Sequence, residues 1–235
     1  MKLGRIAPSA SQRAAVPRLT KYLKRPLPVA PATFDGTADA VYAMYANDRL
    51  GDCTIAGLAN YFATCAAREG SCLGFSDQDV IDYYLHLSGG QDSGLVETDV
   101  LTFAQTHGFP ANGAHKVAAW VRVDARDIPK IKSLNSIFWA LYLGVELPIT
   151  AQQQTVWDVV HTKTPDAAPG SWGGHCVLLG GYDAHGVTLI TWGDKKRATW
   201  AWMQEYCDEV YCLLDADRAH QYGVDWASLM TDLHA

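Results

Sequence analysis

Helical periodicity marks the first half of this sequence and short strand patterns mark the second, and this order constrains the fold more than any other feature. Helices are predicted over residues 52–68, 77–87 and 98–107. In the first of them, Ile55, Leu58 and Phe62 recur at helical spacing, and Gly70 ends the pattern. The first half is therefore expected to build a helical lobe.

After residue 115 the pattern changes. Strands are predicted over 117–123, 145–150, 175–182, 187–191, 197–202 and 209–214, with a helix over 128–143 and a short helical tail after residue 215. A chain of 235 residues is long enough for one two-lobed domain or two small ones. Helices first and strands later predict an α+β protein in two lobes.

Charge separates the start of the chain from the rest. Residues 1–34 carry seven basic residues and no acidic one, whereas the remainder holds all 25 acidic residues and twelve basic ones. Prolines exclude a long helix from this segment: Pro8, Pro17, Pro26, Pro28 and Pro31. A basic extended arm is expected, which either docks on the acidic body or binds an acidic partner. Nucleic acid is an unlikely partner, because no other feature supports it.

Several classes of protein are disfavoured. No apolar run approaches the roughly 18 residues of a membrane helix, and the first residues lack the apolar core of a secretory signal. A cytoplasmic protein without membrane contact is therefore expected. The six cysteines include no Cys-x-x-Cys pair and are expected to be mostly buried thiols. Phosphate-loop, dinucleotide and zinc-helix motifs are missing from the sequence, so no cofactor or metal is expected.

Two segments carry residues suited to nucleophilic catalysis. Cys53 opens the predicted helix directly after Asp52, and a helix start favours the thiolate through its unpaired N–H groups and its dipole. Asp52 is expected to cap the helix. His175 opens an apolar strand after two glycines, where an imidazole can take a thiol proton and return it to a leaving group. Gly174 is expected to let a substrate backbone approach.

Both segments resemble the papain superfamily of cysteine peptidases, in the order found in that family. Leu-Gly-Asp-Cys at 50–53 resembles the calpain nucleophile motif. His-Cys-Val at 175–177, followed by Gly-Tyr at 181–182, resembles the papain-type histidine strand, and Trp-Gly at 192–193 resembles the pair after the third catalytic residue. The resemblance covers roughly residues 40–215 and points to short bacterial or phage members.

The resemblance implies a papain-like two-lobed fold and a thiol hydrolase that cleaves protein or peptide amide bonds. Cys53 is the implied nucleophile and His175 its base. Asn47 stands where the family has the Gln of the oxyanion hole. Trp192 is expected to cover the imidazole. The helical lobe would span about 40–112 and the strand lobe about 115–215, within a domain of 35–215 that follows the arm and precedes a 216–235 tail.

The third catalytic residue departs from the family pattern. Ile190 stands where the family has Asn, and an aliphatic side chain cannot orient an imidazole. A hairpin one residue shorter would bring Thr191 to that position, and Asp194 is an alternative. Because of these departures and the basic arm, a catalytically impaired papain-like protein used for binding or assembly stays open. An amidase or deamidase acting on non-protein substrates also stays open, because it would use the same Cys–His pair.

Overall fold

The computed structural model describes residues 1–160 and 164–234. Eight α-helices lie within them: α1 (Ala10–Ala15), α2 (Cys53–Arg68), α3 (Asp77–Leu87), α4 (Glu97–Thr106), α5 (Ile128–Phe138), α6 (Trp200–Tyr206), α7 (Ala216–Gln221) and α8 (Trp226–Leu233). The three helices predicted for the first half are confirmed, one with identical bounds and two displaced by one residue at an end or at both. None of these helices is long and apolar enough to cross a membrane.

The second half of the chain supplies most of a large, mainly antiparallel sheet. The strands are β1 (Arg5–Ile6), β2 (Phe34–Asp35), β3 (Leu95–Val96), β4 (Ala119–Val123), β5 (Leu141–Leu147), β6 (Val156–Trp157), β7 (Gly173–Tyr182), β8 (Gly186–Thr191), β9 (Asp194–Thr199) and β10 (Cys207–Leu214). The sheet order is β4-β10-β5-β7-β8-β9-β6, with β2 also paired to β7. β1 and β3 form a separate parallel pair. The α+β prediction is confirmed.

Strand β7 is central because both of its faces are apolar and buried. Val177 and Leu179 belong to the core beneath α5, α6 and α8, whereas Cys176 and Leu178 belong to the core beneath α2, α3 and α4. This alternation follows from the two-residue period of a strand. The helix α2 packs directly on β7, so the start of α2 meets the sheet where β7 begins.

Three predicted elements are wrong in their bounds; the strand predicted over 145–150 is β5 (Leu141–Leu147), which a 3-10 helix (Ile149–Gln153) follows. The helix predicted over 128–143 ends at Phe138; Trp139 then takes a positive φ of 71°, and residues from Leu141 form β5. The apolar run around Leu143 fits a buried strand as well as a helix, and pairing with β7 and β10 decides for the strand. The strand predicted over 197–202 ends at Thr199, whose side chain caps α6.

The first 34 residues run over the surface of the body rather than away from it. β1 pairs with β3, and short bridges join Arg18 to Arg122 and Leu23 to Val224. The short helix α1 lies between these contacts. The tail after residue 215 contains α7 and α8, as the sequence predicts.

Candidate active site

Cys53 is the first residue of α2, and its sulfur is almost completely buried. The backbone N–H of Cys176 faces this sulfur and lowers its pKa, and that N–H belongs to the peptide group that joins His175 to Cys176. The start of α2 thus brings the thiol to the beginning of β7. The expectation that Asp52 caps the helix is wrong, because its carboxylate makes no capping bond, and burial raises its pKa to about 7.

His175 is held from two sides. Its Nε2 lies 2.7 Å from the hydroxyl oxygen of Thr191, and the Trp192 ring stacks on the imidazole at 4.4 Å between centroids. Its Nδ1 is buried and has no hydrogen-bond partner within the described part of the chain. Because Thr191 engages Nε2, Nδ1 is the nitrogen left for acid–base chemistry.

The turn between β8 and β9 places both of these partners. Thr191 pairs with Asp194 across a two-residue loop, in which Trp192 has a φ of 49° and Gly193 a φ of 74°. Positive φ at both central residues is typical of the tight hairpin turn that matches strand twist. A tryptophan in this region is strained. The turn brings Thr191, rather than Ile190 or Asp194, to the imidazole.

Asn47 lies in the same cleft and is buried. Its side-chain amide donates to the Lys2 carbonyl at 3.3 Å and to the Leu50 carbonyl at 3.2 Å, while the backbone carbonyl of Asn47 accepts from the Lys2 N–H at 3.1 Å. The Trp192 indole N–H also donates to the Lys2 carbonyl, at 3.5 Å. The amide of Asn47 is therefore aimed at a peptide carbonyl that lies in the cleft.

The peptide in the cleft is the start of the chain itself, a feature that sequence reasoning left open. Residues 2–6, the cleft segment, pass between α2, β3 and the start of β7. The N–H of Gly4 faces the Cys53 sulfur and lowers its pKa, and the Gly4 carbonyl accepts from Leu95 N–H at 2.8 Å. A Cβ on Gly4 would overlap the carbonyl oxygen of Gly51, so only glycine fits at this point.

Gly174 gives the cleft segment room on its other side. A Cβ at Gly174 would overlap the carbonyl oxygen of Arg5, and a Cβ at Gly173 would lie 3.0 Å from a Leu3 methyl group. These two glycines thus accept a peptide backbone against β7. The signal available in the sequence was the Gly-Gly pair before His175; nothing in it identified residues 2–6 as the occupant.

Both reacting groups are uncharged in this form. Burial raises the pKa of the Cys53 thiol to about 12, against the N–H groups of Cys176 and Gly4 that lower it. Burial lowers the pKa of His175 to about 3. The expected acidic thiol at the helix start is therefore wrong for this form of the chain, because desolvation by burial outweighs the helix dipole.

No protein-family model matches this sequence, and no curated protein sequence matches it significantly. Solved structures do match its fold. Xylellain, a cysteine protease from Xylella fastidiosa, aligns over 89% of this chain and 94% of its own with a TM-score of 0.64 and 17% identity. Digestive procathepsin L 3 of the Tenebrio molitor larval midgut aligns over 80% and 70%, with a TM-score of 0.60 and 12% identity.

A cysteine protease of Carica candamarcensis, solved in complex with E-64, aligns over 77% of this chain and 97% of its own, with a TM-score of 0.51 and 14% identity. At such low identities the likeness concerns the fold. The chain has the α+β fold of papain-like cysteine proteases.

Proposed function

We propose that this chain is a cysteine-nucleophile hydrolase that cleaves amide bonds in proteins or peptides. One observation carries the proposal: in a papain-like fold, a helix-start thiol faces the peptide group of a histidine whose Nε2 is engaged and whose Nδ1 has no partner. Cys53 is the nucleophile, and His175 is the base and later the acid.

The reaction proceeds through a thioester. His175 Nδ1 takes the Cys53 proton, the sulfur attacks the substrate carbonyl carbon, and a C–S bond forms. The resulting oxyanion accepts from the Cys53 N–H and the Asn47 amide. The C–N bond then breaks, and the leaving amine takes the proton from His175. Water, deprotonated by the same imidazole, cleaves the thioester and releases the carboxylic acid.

Thr191 and Trp192 position the imidazole. If Nε2 carries the proton and donates to the Thr191 hydroxyl, Nδ1 is the basic nitrogen in the resting site. The stacked Trp192 ring shields this contact from water. Asn47 is one methylene shorter than Gln, yet its amide already donates to a carbonyl in the cleft. That contact supports its role toward the oxyanion.

Residues 1–34 act as a regulatory arm in front of the domain at 35–215, which the 216–235 tail follows. The arm keeps the enzyme inactive, because the cleft segment covers the sulfur and holds both reacting groups neutral. An attached segment competes with substrate at an effective concentration of about millimolar. The enzyme turns over only when the cleft segment leaves.

We also propose that Leu-Gly-Asp-Cys at 50–53 is a calpain-like nucleophile motif. The chain would then be grouped with the short papain-like enzymes of bacteria and phages. Near-complete mutual coverage with Xylellain, a bacterial protease, supports a short enzyme of this type. The expected setting is the cytoplasm, with protein or peptide substrates and neither nucleic acid nor membrane as partner.

The Gly4→Ala variant of the full chain tests the proposal. The added methyl group meets the backbone of Gly51 and displaces the cleft segment without touching the catalytic groups. We expect Gly4→Ala to cleave a mixture of unstructured peptides at least about tenfold faster than the parent chain, measured by mass spectrometry.

Two variants serve as controls. Gly74→Ala adds the same methyl group in open space and should leave the parent rate unchanged. Gly4→Ala/Cys53→Ala should cleave nothing. Cleavage that persists without Cys53, or no cleavage of any peptide by Gly4→Ala, would contradict the proposed function.

A further inference from the structure

The cleft segment is anchored by one buried side chain, Arg5. Its guanidinium is fully buried and contacts four carboxylates, which we call the carboxylate pocket: Glu97, Glu146, Asp208 and Glu209. Nη1 donates to Glu146 at 2.7 Å, and Nη2 donates to Asp208 at 2.8 Å and to Glu209. Nε lies 4.0 Å from Glu97.

Separate elements of the body build this pocket. Glu97 opens α4, Glu146 is on β5, and Asp208 and Glu209 are on β10. Its wall beside the guanidinium is Gly144, where a Cβ would lie 2.7 Å from the Arg5 Cζ. Any larger residue at that position would fill the space that the guanidinium occupies.

Burial raises the pKa of Glu97 to about 8, and the other three carboxylates of the pocket still outnumber the single positive charge of Arg5. Glu97 and Glu209 are completely buried, and neither oxygen of Glu97 has a hydrogen-bond partner within the described chain; one of them lies 4.0 Å from Arg5 Nε. Arg13 offsets part of the charge through Asp208, at 3.2 Å. When Arg5 withdraws, Arg13 still faces Asp208, but Glu146 and Glu209 lose their cationic partner, which the side chain of another cation can replace.

The pocket opens next to the nucleophile. The N–H of Gly4, the neighbour of Arg5, faces the Cys53 sulfur, and the Arg5 carbonyl passes over Gly174. A peptide bound in place of the cleft segment would therefore bring one of its side chains to this pocket within a few residues of the reacting bond.

We infer that the carboxylate pocket is a substrate subsite that selects an arginine side chain near the cleaved bond. The inference rests on the proposed function and names its substrate class. Arginine is favoured over lysine, because three nitrogens of a planar guanidinium face separate carboxylates, whereas an ammonium presents one point charge. The arm occupies the subsite by imitating that side chain.

The experiment compares arginine with citrulline, a neutral side chain of the same shape, in the full-length Gly4→Ala/Arg5→Ala chain. Synthetic hexapeptides carry one or the other at each position in turn, and kcat/KM is measured for each. We expect arginine to be preferred at least about tenfold at one position. Adding Glu146→Gln or Glu209→Gln should bring that ratio towards one; Glu146 is half-exposed and serves if the Glu209 variant does not fold.

The outcomes separate this inference from the proposed function. If the kcat/KM values of the arginine and citrulline peptides agree within about twofold at every position, the subsite is overturned and the hydrolase stands. The same holds if neither Glu variant changes the ratio of these values. If no peptide is cleaved, calorimetric binding to the same chain with Cys53→Ala decides. Arginine bound at least about tenfold more tightly supports the pocket although the function fails, and equal binding overturns the pocket as well.

Discussion

At the scale of single residues, the contact between His175 and Thr191 determines which imidazole nitrogen does chemistry. The hydroxyl oxygen lies 2.7 Å from Nε2, in a buried site covered by Trp192. A hydroxyl can accept from a neutral or a charged imidazole, and it stabilises the charged form by accepting the Nε2 proton. In the proposed mechanism, Thr191 performs the task that Asn performs in the family pattern.

Replacing Thr191 by valine tests this positioning. In the Gly4→Ala background, Thr191→Val should lower kcat by about tenfold, the effect of losing one buried hydrogen bond of roughly 1.4 kcal/mol. Because the imidazolium loses an acceptor, its pKa should fall, and the alkaline limb of the kcat/KM pH profile should move to lower pH.

Thr191→Ser is the matched control, since it keeps the hydroxyl and should restore both kcat and the alkaline limb. An unchanged pH profile in Thr191→Val would mean that the hydroxyl does not act on the imidazole.

The places of Cys53 and His175 could be predicted from the sequence, whereas their pKa values could not. The glycine, acid and cysteine before an amphipathic helix indicate where Cys53 lies, and the histidine before an apolar strand indicates where His175 lies. The pKa values depend on burial in the folded chain, which no local pattern encodes. The sequence likewise predicts that Asp52 caps α2, but its carboxylate is buried and makes no capping bond.

At the scale of elements, the hairpin β8–β9 and the helix α2 position the site together. The hairpin turn fixes Thr191 and Trp192 on one side of β7, while α2 carries Cys53 to the same strand. Gly193 matters because it combines a φ of 74° with close packing: a Cβ there would lie 2.6 Å from the Met44 nitrogen.

Gly193→Ala should therefore destabilise the protein and disturb the site. The positive φ alone is expected to lower the free energy of unfolding by about 1–3 kcal/mol, as measured by urea denaturation. Gly74→Ala, which meets open space, should change it by less than about 0.5 kcal/mol. Equal stability of the two variants would show that the turn is not constrained as described.

Element types were predictable where the period was unambiguous. Helix α3 matches its predicted bounds because its apolar positions alternate with acids at helical spacing and Ser76 caps it. The run 128–143 was misread because an apolar stretch inside a two-faced sheet carries no alternation. Pairing with β7 and β10 is what makes residues 141–147 a strand rather than a continuation of helix α5.

At the scale of the whole molecule, the basic start of the chain and its acidic body come together at the cleft. Lys2 pairs with Asp92, Arg5 fills the carboxylate pocket, and Arg13 bonds to Asp208. The charge imbalance in the sequence indicated attraction between these parts. It did not indicate that the contact runs through the candidate active site, because that depends on where α4, β5 and β10 meet in space.

The central claim is that Cys53 becomes a reactive thiol, activated by His175, when the cleft segment leaves. In the parent chain the pKa of Cys53 is raised to about 12, so its thiolate fraction stays small and the rate of reaction should keep rising with pH. Displacing the segment returns water and the helix dipole to the sulfur, which should lower the pKa below the ordinary thiol value of about 8.5.

The most direct test is the rate of alkylation of Cys53 by iodoacetamide, followed on its own proteolytic peptide from about pH 6 to 10. The account predicts that Gly4→Ala reacts at least about tenfold faster than the parent chain at neutral pH, with an inflection below about pH 8.5 that His175→Ala removes. Equal rates in Gly4→Ala and the parent chain, or an inflection that survives His175→Ala, would contradict it.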